Sequence, residues 1–460
     1  MKQFLITFFA VIFGLVVFVL SVPLVGLLIT APPDVSLPNT TILSLDLNQV
    51  IPEAPNNDPF SRFLEHQGLS VPEIVSVLHR ASDDSKVKGL YVKLGSIGMR
   101  TAQAQEFRDA IKFFRASGKF AVAYAQQFSG NGMGAYYTAA ACDEIWLQTT
   151  GESHVSGIAV SAPFIKQTLD KIGVSPQLGR RHEYKTAANT FTESDFTKVH
   201  RQSLERFIGS MFNRITSEIS SDRDFTPQEL IDHIDSAPHT AEEALNVGLV
   251  DKLGYEDQVR ASLIDRTGED VEFVSVQDYF GLAGGNYEDG KTIALIYGTG
   301  TIVSGKSGGR GGPLSQNVTM GSDTIAQAFR DAVDDEDVEA IVFRVSSPGG
   351  SYLASDQIWR EIVRARKAGI PVVATMGATA ASGGYFVAMA ADIVIAQAGT
   401  ITGSIGVLGG KMVAADLLSK LGINLGEVSI GKNALIGSSF RNYTPEQWTW
   451  INRSLDRVYS

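Results

Sequence analysis

Three short stretches of this 460-residue chain hold side chains that could make and break an acyl bond. "ITGSIGVLGG" (401–410) sets Ser404 among four glycines, "TAASGGY" (379–385) sets Ser382 before two, and "HEYKTAANTF" (182–191) carries Lys185. A serine hydroxyl is a weak nucleophile at neutral pH and needs a base within hydrogen-bond reach. A lysine amine can be that base when burial disfavours its ammonium form and pulls its pKa from about 10.4 toward neutrality. Tyr184, Ala187, Ala188 and Phe191 give Lys185 apolar neighbours, although Arg180, Arg181 and Glu183 stand close as well. Acyl transfer also needs donors for a developing oxyanion. "RVSSPGGSYLAS" (344–355) offers them, because Pro348-Gly349-Gly350 reads as a sharp turn between a strand and a helix, with backbone N–H groups at the helix start. Read locally, each feature is also ordinary: a Gly-Ser turn, a solvated lysine, a structural Pro-Gly-Gly corner.

Comparing the chain with itself separates these readings. "TILSL" at Thr41 and "TIALI" at Thr292 open apolar strands 251 residues apart, and "ASDDSKVKGLYVKL" (81–94) matches "AVDDEDVEAIVFRV" (332–345) at the same offset. After a loop two residues longer in the first copy the offset becomes 249, where "GMGAYYTAAACDEIWL" (132–147) matches "ASGGYFVAMAADIVIA" (381–396) and "KIGV" (171) matches "KLGI" (420). A register held through so many segments marks an internal duplication. With the 249 offset Ser404 faces Val155, Ser382 faces Met133 and Lys185 faces Ala434, so the serines and the lysine are each missing from the sister copy. Lys432, two residues from the aligned position, leaves a local slip of register open. The turn follows the serines: Gly349 has a counterpart in Gly98, but Pro348 and Gly350 are replaced by Ile97 and Met99. Ser404 ranks first as nucleophile and Ser382 second, since serines at strand-to-helix turns also serve.

The elements that must position these residues read as alternating strands and amphipathic helices. "KGLYVKL", "KFAVAYA" and "EIWLQ" are short runs rich in β-branched and aromatic residues, and "AQAQEFRDAIKFFRAS" has apolar positions at helical spacing before Gly118. The second copy repeats this with "EAIVFRV", "PVVATM" and "DIVIAQ". The expected fold class is α/β, two tandem units with twisted parallel sheets and flanking helices. A first repeat over 41–285 carries the lysine and a second over 286–460 carries the serine. The second copy stops where the first continues from Ser210 to about Val274, which predicts a carboxy-terminal truncation.

Residues 4–30 are almost uninterruptedly apolar and uncharged, long enough to span a bilayer, and no clear cleavage site follows. The expectation is a transmembrane signal anchor over 1–30, a stiff linker over 31–40, and, from Lys2 at the start, an exported body. A net charge of −11 without a long basic run argues against a nucleic-acid partner. The one cysteine, Cys142, excludes an internal disulfide and a multi-cysteine metal site, and reads as a small core residue on a helix.

Taken together, the apolar anchor, the duplication, "SSPGGS", "TAASGGY", "TGSIGV" and "YKTA" resemble the signal peptide peptidase A family, long bacterial tandem type, within the Clp protease and crotonase superfamily. The resemblance covers 41–460. It implies two Clp/crotonase-like units, Ser404 as nucleophile, Lys185 as general base, and an oxyanion held by backbone N–H groups at Gly349 or Gly350 and near Ile405, with no metal or other cofactor. It also implies anchoring in the bacterial cytoplasmic membrane with the catalytic part facing outside, homo-oligomers, and hydrophobic peptide substrates such as cleaved signal peptides. "KTAANTFTESD" departs from the family's commoner acidic-Pro continuation after Thr186. Two rivals are an acyl-CoA enzyme of crotonase type, which would not need the Ser404–Lys185 pair, and a noncatalytic membrane scaffold, which would not divide serine and lysine between copies.

Overall fold

A computed structural model of the chain describes residues 36–55, 68–95, 99–130, 133–283, 290–309 and 318–460, together with Gly14. The expected membrane-spanning segment lies outside the described residues apart from Gly14, as does the first half of the linker, 31–35. Among the described residues no helix is long and apolar enough to cross a membrane.

In chain order the first repeat forms β1 (Thr41–Asp46), β2 (Val87–Lys93), β3 (Phe120–Ala125), β4 (Glu144–Leu147), β5 (Glu152–Ser153), β6 (Ser175–Arg181), β7 (His239–Thr240), β8 (Lys252–Leu253) and β9 (Glu272–Ser275). Six of these make a parallel sheet in the order β8-β4-β3-β2-β1-β9. Alternate residues point to opposite faces, as strand geometry requires. Leu43, Leu90, Val92 and Ala123 pack against Leu78 and Phe107 of the helices Val71–Asp83 and Thr101–Ala116, while Ile42, Tyr91, Val122 and Tyr124 meet Val259 and Leu263 of the helix Glu256–Thr267. The first helix begins with Ser70, whose N–H and hydroxyl both donate to Glu73 Oε2, a reciprocal cap that stops the chain from fraying there.

The second repeat forms β10 (Thr292–Thr299), β11 (Thr301–Val303), β12 (Gly308–Gly309), β13 (Val318–Gly321), β14 (Val338–Ser347), β15 (Val372–Ala381), β16 (Ile393–Ala396), β17 (Ile401–Gly403) and β18 (Val407–Val413). Its main sheet runs β10-β14-β15-β16, with β17 also on β15, all parallel. Ile341, Phe343 and Val345 pack under the helices Ser322–Asp334 and Tyr352–Lys367, whereas Ile293 on the other face is 57% exposed.

The duplication is visible as matched chemistry. Arg115 Nε donates to Asp143 at 2.8 Å and its Nη1 to the Ala141 carbonyl at 2.7 Å, and Asp143 accepts the Ala121 N–H at 2.8 Å. In the second copy Arg366 binds Asp392 at 2.6 Å and the Ala390 carbonyl at 2.8 Å, while Asp392 accepts the Val372 N–H at 2.9 Å. One sequence expectation is corrected in detail: Cys142 is buried, but it lies in the turn between the helix Met133–Ala139 and β4, where the chain must tighten to re-enter the sheet. Burial pushes its thiol pKa up to about 12, so it is no thiolate at neutral pH.

The two repeats interlock. Strand β6 of the first pairs antiparallel with β18 of the second, from Val407 opposite Arg181 to Val413 opposite Ser175. The helix Pro445–Tyr459 packs on this ribbon, with Arg181 Nη2 donating to the Asn452 carbonyl at 3.1 Å.

Candidate active site

The β6–β18 ribbon decides where Lys185 goes. Lys185 follows the end of β6 by four residues and Ser404 precedes β18 by three, so in an antiparallel pair both fall at the same end. Lys185 Nζ donates to the Ser404 carbonyl at 2.6 Å and lies 3.1 Å from Ser404 Oγ and 3.1 Å from Ser382 Oγ. The residue is 7% exposed, and no carboxylate pairs with it among the described residues. Desolvation lowers its pKa below that of a free lysine, because the ammonium loses water and gains no counter-charge. At the matched offset Lys432, the residue that left the register open, falls opposite Glu183 and is exposed.

Ser382 and Ser404 share an unusual backbone. Both have positive φ, +52° and +50°, in a region that costs a side-chain-bearing residue energy and persists only where the surroundings enforce it. For Ser382 the enforcement is visible: it stands between β15 and the helix Gly383–Ala388, its N–H donates to the Gly403 carbonyl at 2.8 Å, and its carbonyl accepts the Phe386 N–H at 2.9 Å. This is the strand-to-helix elbow that pushes a side chain out of the turn.

The Pro-Gly-Gly turn packs on the same elbow. A Cβ on Gly349, at φ +100°, would sit 2.8 Å from Ser382 Cβ and 2.7 Å from the Gly383 nitrogen, so only glycine allows this approach. Within the turn the Gly349 N–H donates to Ser347 Oγ at 3.1 Å, and Ile302 exchanges bonds with the Gly349 carbonyl and the Ser351 N–H at 2.9 Å each. That leaves the Gly350 N–H without an acceptor among the described residues, 3.2 Å from where a Cβ of Gly383 would stand. The Gly383 N–H belongs to the first turn of a helix, where no intrahelical acceptor exists. Of the backbone donors expected from sequence, Gly350 is therefore the available one beside a serine, Gly349 is engaged inside the turn, and Ile405 lies next to Ser404, exposed. Gly383 escaped the sequence reading, although "SGG" after a strand and before a helix is the signal that would have found it.

An apolar recess of about 210 Å³ opens between the repeats, lined by Met99, Met211, Ala378 and Ile401 among others. Ala378 lies on β15 and Ile401 on β17, the strands that lead to the two serines.

The site thus brings together a buried amine, two serines with positive φ and free backbone N–H groups at a glycine turn. The chain belongs to peptidase family S49, which it matches over residues 87–269 and 364–460, one stretch in each repeat. It is similar to the chloroplastic serine protease SPPA of Arabidopsis thaliana, 31% identical over 87% of this chain and 59% of that one. It is also similar to Protease 4 of Salmonella typhi (33% identical over 85% of this chain and 64% of that one) and of Haemophilus influenzae (30%, 78% and 60%). The chain thus spans about three-fifths of the length of these relatives.

Proposed function

We propose that the chain is a serine endopeptidase in which Lys185 is the general base and Ser382 the nucleophile, with Ser404 holding the lysine in place. The observation that carries the reading is the uncharged surroundings of Lys185 within 3.1 Å of Ser382 Oγ, on an elbow that also faces the Gly350 and Gly383 N–H groups. A neutral amine has two N–H donors and one lone pair. The Ser404 carbonyl can only accept, so one N–H goes there; in this proposal the second goes to the Ser404 hydroxyl and the lone pair to the Ser382 hydroxyl on its elbow. Lys185 then takes the Ser382 proton as Oγ attacks a peptide carbonyl, and Gly350 and Gly383 stabilise the oxyanion. The lysine returns the proton to the leaving amine, and water, deprotonated by the regenerated neutral Lys185, attacks the ester and releases the acyl group while the proton goes back to Ser382. Sequence favours Ser404 as nucleophile, and its equal distance from Nζ keeps it as the competing assignment.

Labelling the detergent-solubilised protein with a fluorophosphonate, and locating the adduct by mass spectrometry, separates the two. Ser382→Ala is expected to abolish labelling and peptide turnover, Lys185→Ala to lower both by about 10³-fold, and Ser404→Ala to slow labelling while leaving it on Ser382. An adduct on Ser404 in Ser382→Ala would move the nucleophile there. Undiminished labelling of Lys185→Ala removes the dyad altogether.

The substrates proposed are short hydrophobic peptides, cleaved signal peptides among them, which suit the apolar recess beside the serine-bearing strands. The membrane attachment and exported active site rest on the apolar residues 4–30. A second copy of the chain is the proposed partner. Shifted by 249, the partners of the β6–β18 ribbon become 424–430 and 158–164, with Ile158 opposite Ile430 and Phe164 opposite Asn424. Neither segment forms a strand in the single chain, and Val428 and Ile430 are 98% and 97% exposed. Pairing 424–430 of one copy with 158–164 of the next repeats the intrachain joint head to tail, which gives a ring if the rotation closes.

A further inference from the structure

Strand β15, which ends at the Ser382 elbow, is not in continuous register with its neighbour. Val345 lies opposite Met376 and Ser347 opposite Ala380, so four steps on β15 match two on β14 and the strand carries two extra residues. Such a bulge frees backbone groups and bends the strand that contains it. Here two of the freed groups are taken by side chains. Thr400 Oγ1 donates to the Gly377 carbonyl at 3.0 Å, and the Ala378 N–H donates to Glu53 Oε1 at 3.1 Å.

Glu53 comes from the other repeat, 325 residues away in sequence, and its carboxylate is fixed on every side. Oε1 also accepts from Gln103 Nε2 at 3.0 Å, and Oε2 accepts from Arg344 Nη2 at 2.8 Å. Arg344 in turn holds Glu106 through Nη1 at 3.0 Å and Nη2 at 2.8 Å. The group is nearly dry, with the side chains of Arg344, Glu53 and Glu106 6%, 11% and 13% exposed. Gly377 admits the carboxylate because a Cβ there would stand 2.5 Å from Glu53 Oε2. In the sister copy the position of Arg344 is Lys93, which pairs with Glu256, and that of Glu106 is Gln357, which binds Asp323. Among the described residues, these sister positions form no such clamp between the repeats.

We propose that Glu53 is a positioning residue for the nucleophile: by accepting the Ala378 N–H it sets the bulge that aims the end of β15, and so the Ser382 hydroxyl, at Lys185 and the oxyanion donors. This rests on the serine-peptidase reading above. A peptidase site built from two repeats needs a contact that reports their docking to the reacting strand, and a misplacement of about 1 Å at such a site can cost 10²-fold in rate. Glu53→Ala leaves Arg344 paired with Glu106 and the net charge of the cluster balanced, so it removes the acceptor without stranding the arginine.

The test is the second-order rate at which a fluorophosphonate phosphonylates the full chain, with loss of fluoride, divided by the final number of labelled sites. Parent protein, Glu53→Ala, Glu53→Gln and Thr400→Val are compared. Glu53→Ala is expected to slow labelling per site about 10- to 100-fold with the final stoichiometry unchanged. Glu53→Gln, which keeps an acceptor oxygen, should recover part of the rate, and Thr400→Val should show a smaller loss. A merely structural role would lower melting temperature or stoichiometry and leave the rate per labelled site at the parent value, which overturns the proposal. Should Glu53→Ala fail to fold, parent-like rates in both other variants overturn it equally. A parent protein that is not labelled on a serine defeats the peptidase reading itself, whereas a labelled parent with indifferent variants defeats only the role of Glu53.

Discussion

Burying the Lys185 amine costs stability, and the cost depends on pH. Burial lowers its pKa in the folded state relative to the unfolded chain, so between the two values the unfolded state binds the extra proton and stability rises with pH. Below the folded value the burden is at its full size, and it is gone above the unfolded one. Lys185→Met is therefore expected to melt a few degrees higher than the parent at pH 7, with the gap closing as pH approaches about 10.4. A gap that is constant with pH would assign it to packing. If this neutral amine is the base, as proposed, fluorophosphonate labelling should rise with pH to a plateau, with a midpoint below that of an ordinary lysine and lost in Lys185→Ala. A flat profile would mean that the group titrating in the labelling step is not this lysine.

At the scale of elements, two turns and one ribbon do most of the positioning. In Gly350→Ala the added Cβ would overlap the Ile302 carbonyl oxygen, so the turn must move off the elbow even if the sheet survives. The expected loss is about 10²-fold in kcat, in the range of removing one oxyanion donor, with KM little changed. A matching rise in KM instead would place the turn in substrate binding. The repeat, the parallel sheets and the reciprocal loss of serine and lysine were legible because periodic apolar strands and a fixed offset survive in a linear string. Which of the two serines the amine serves is a matter of three-dimensional placement. The elbow at Ser382, its contact with Gly349 and the amine that Ser382 shares with Ser404 are not encoded in spacing. The clamp was hidden for another reason. Glu53, Glu106 and Arg344 look like solvated charges in sequence, and only the docking of the repeats buries them.

For the whole molecule, the joint between repeats is head to tail and leaves one surface of each kind free. Val428→Lys combined with Ile430→Lys places two charges in the exposed segment proposed to pair with 158–164 of a neighbour, outside the β6–β18 ribbon. Sedimentation in detergent should show the parent as an oligomer and the variant as a smaller species that still labels on serine. If parent and variant sediment alike, the exposed segments have another purpose. Because Val155, Met133 and Ala434 occupy the serine and lysine positions there, the joints between copies would be inert, and labelling should saturate at one site per chain.

The division of the dyad between halves also has a consequence in time. Lys185 and Ser382 are 197 residues apart, so a growing chain presents the amine well before any hydroxyl exists for it to activate. At typical synthesis rates of about 5–20 residues per second the delay is roughly 10 to 40 s. Until the second half has been made and has zipped β18 onto β6, Lys185 has no serine to face. If the pair cuts peptide as proposed above, the nascent chain is inactive during the interval when its own unfolded segments are most exposed.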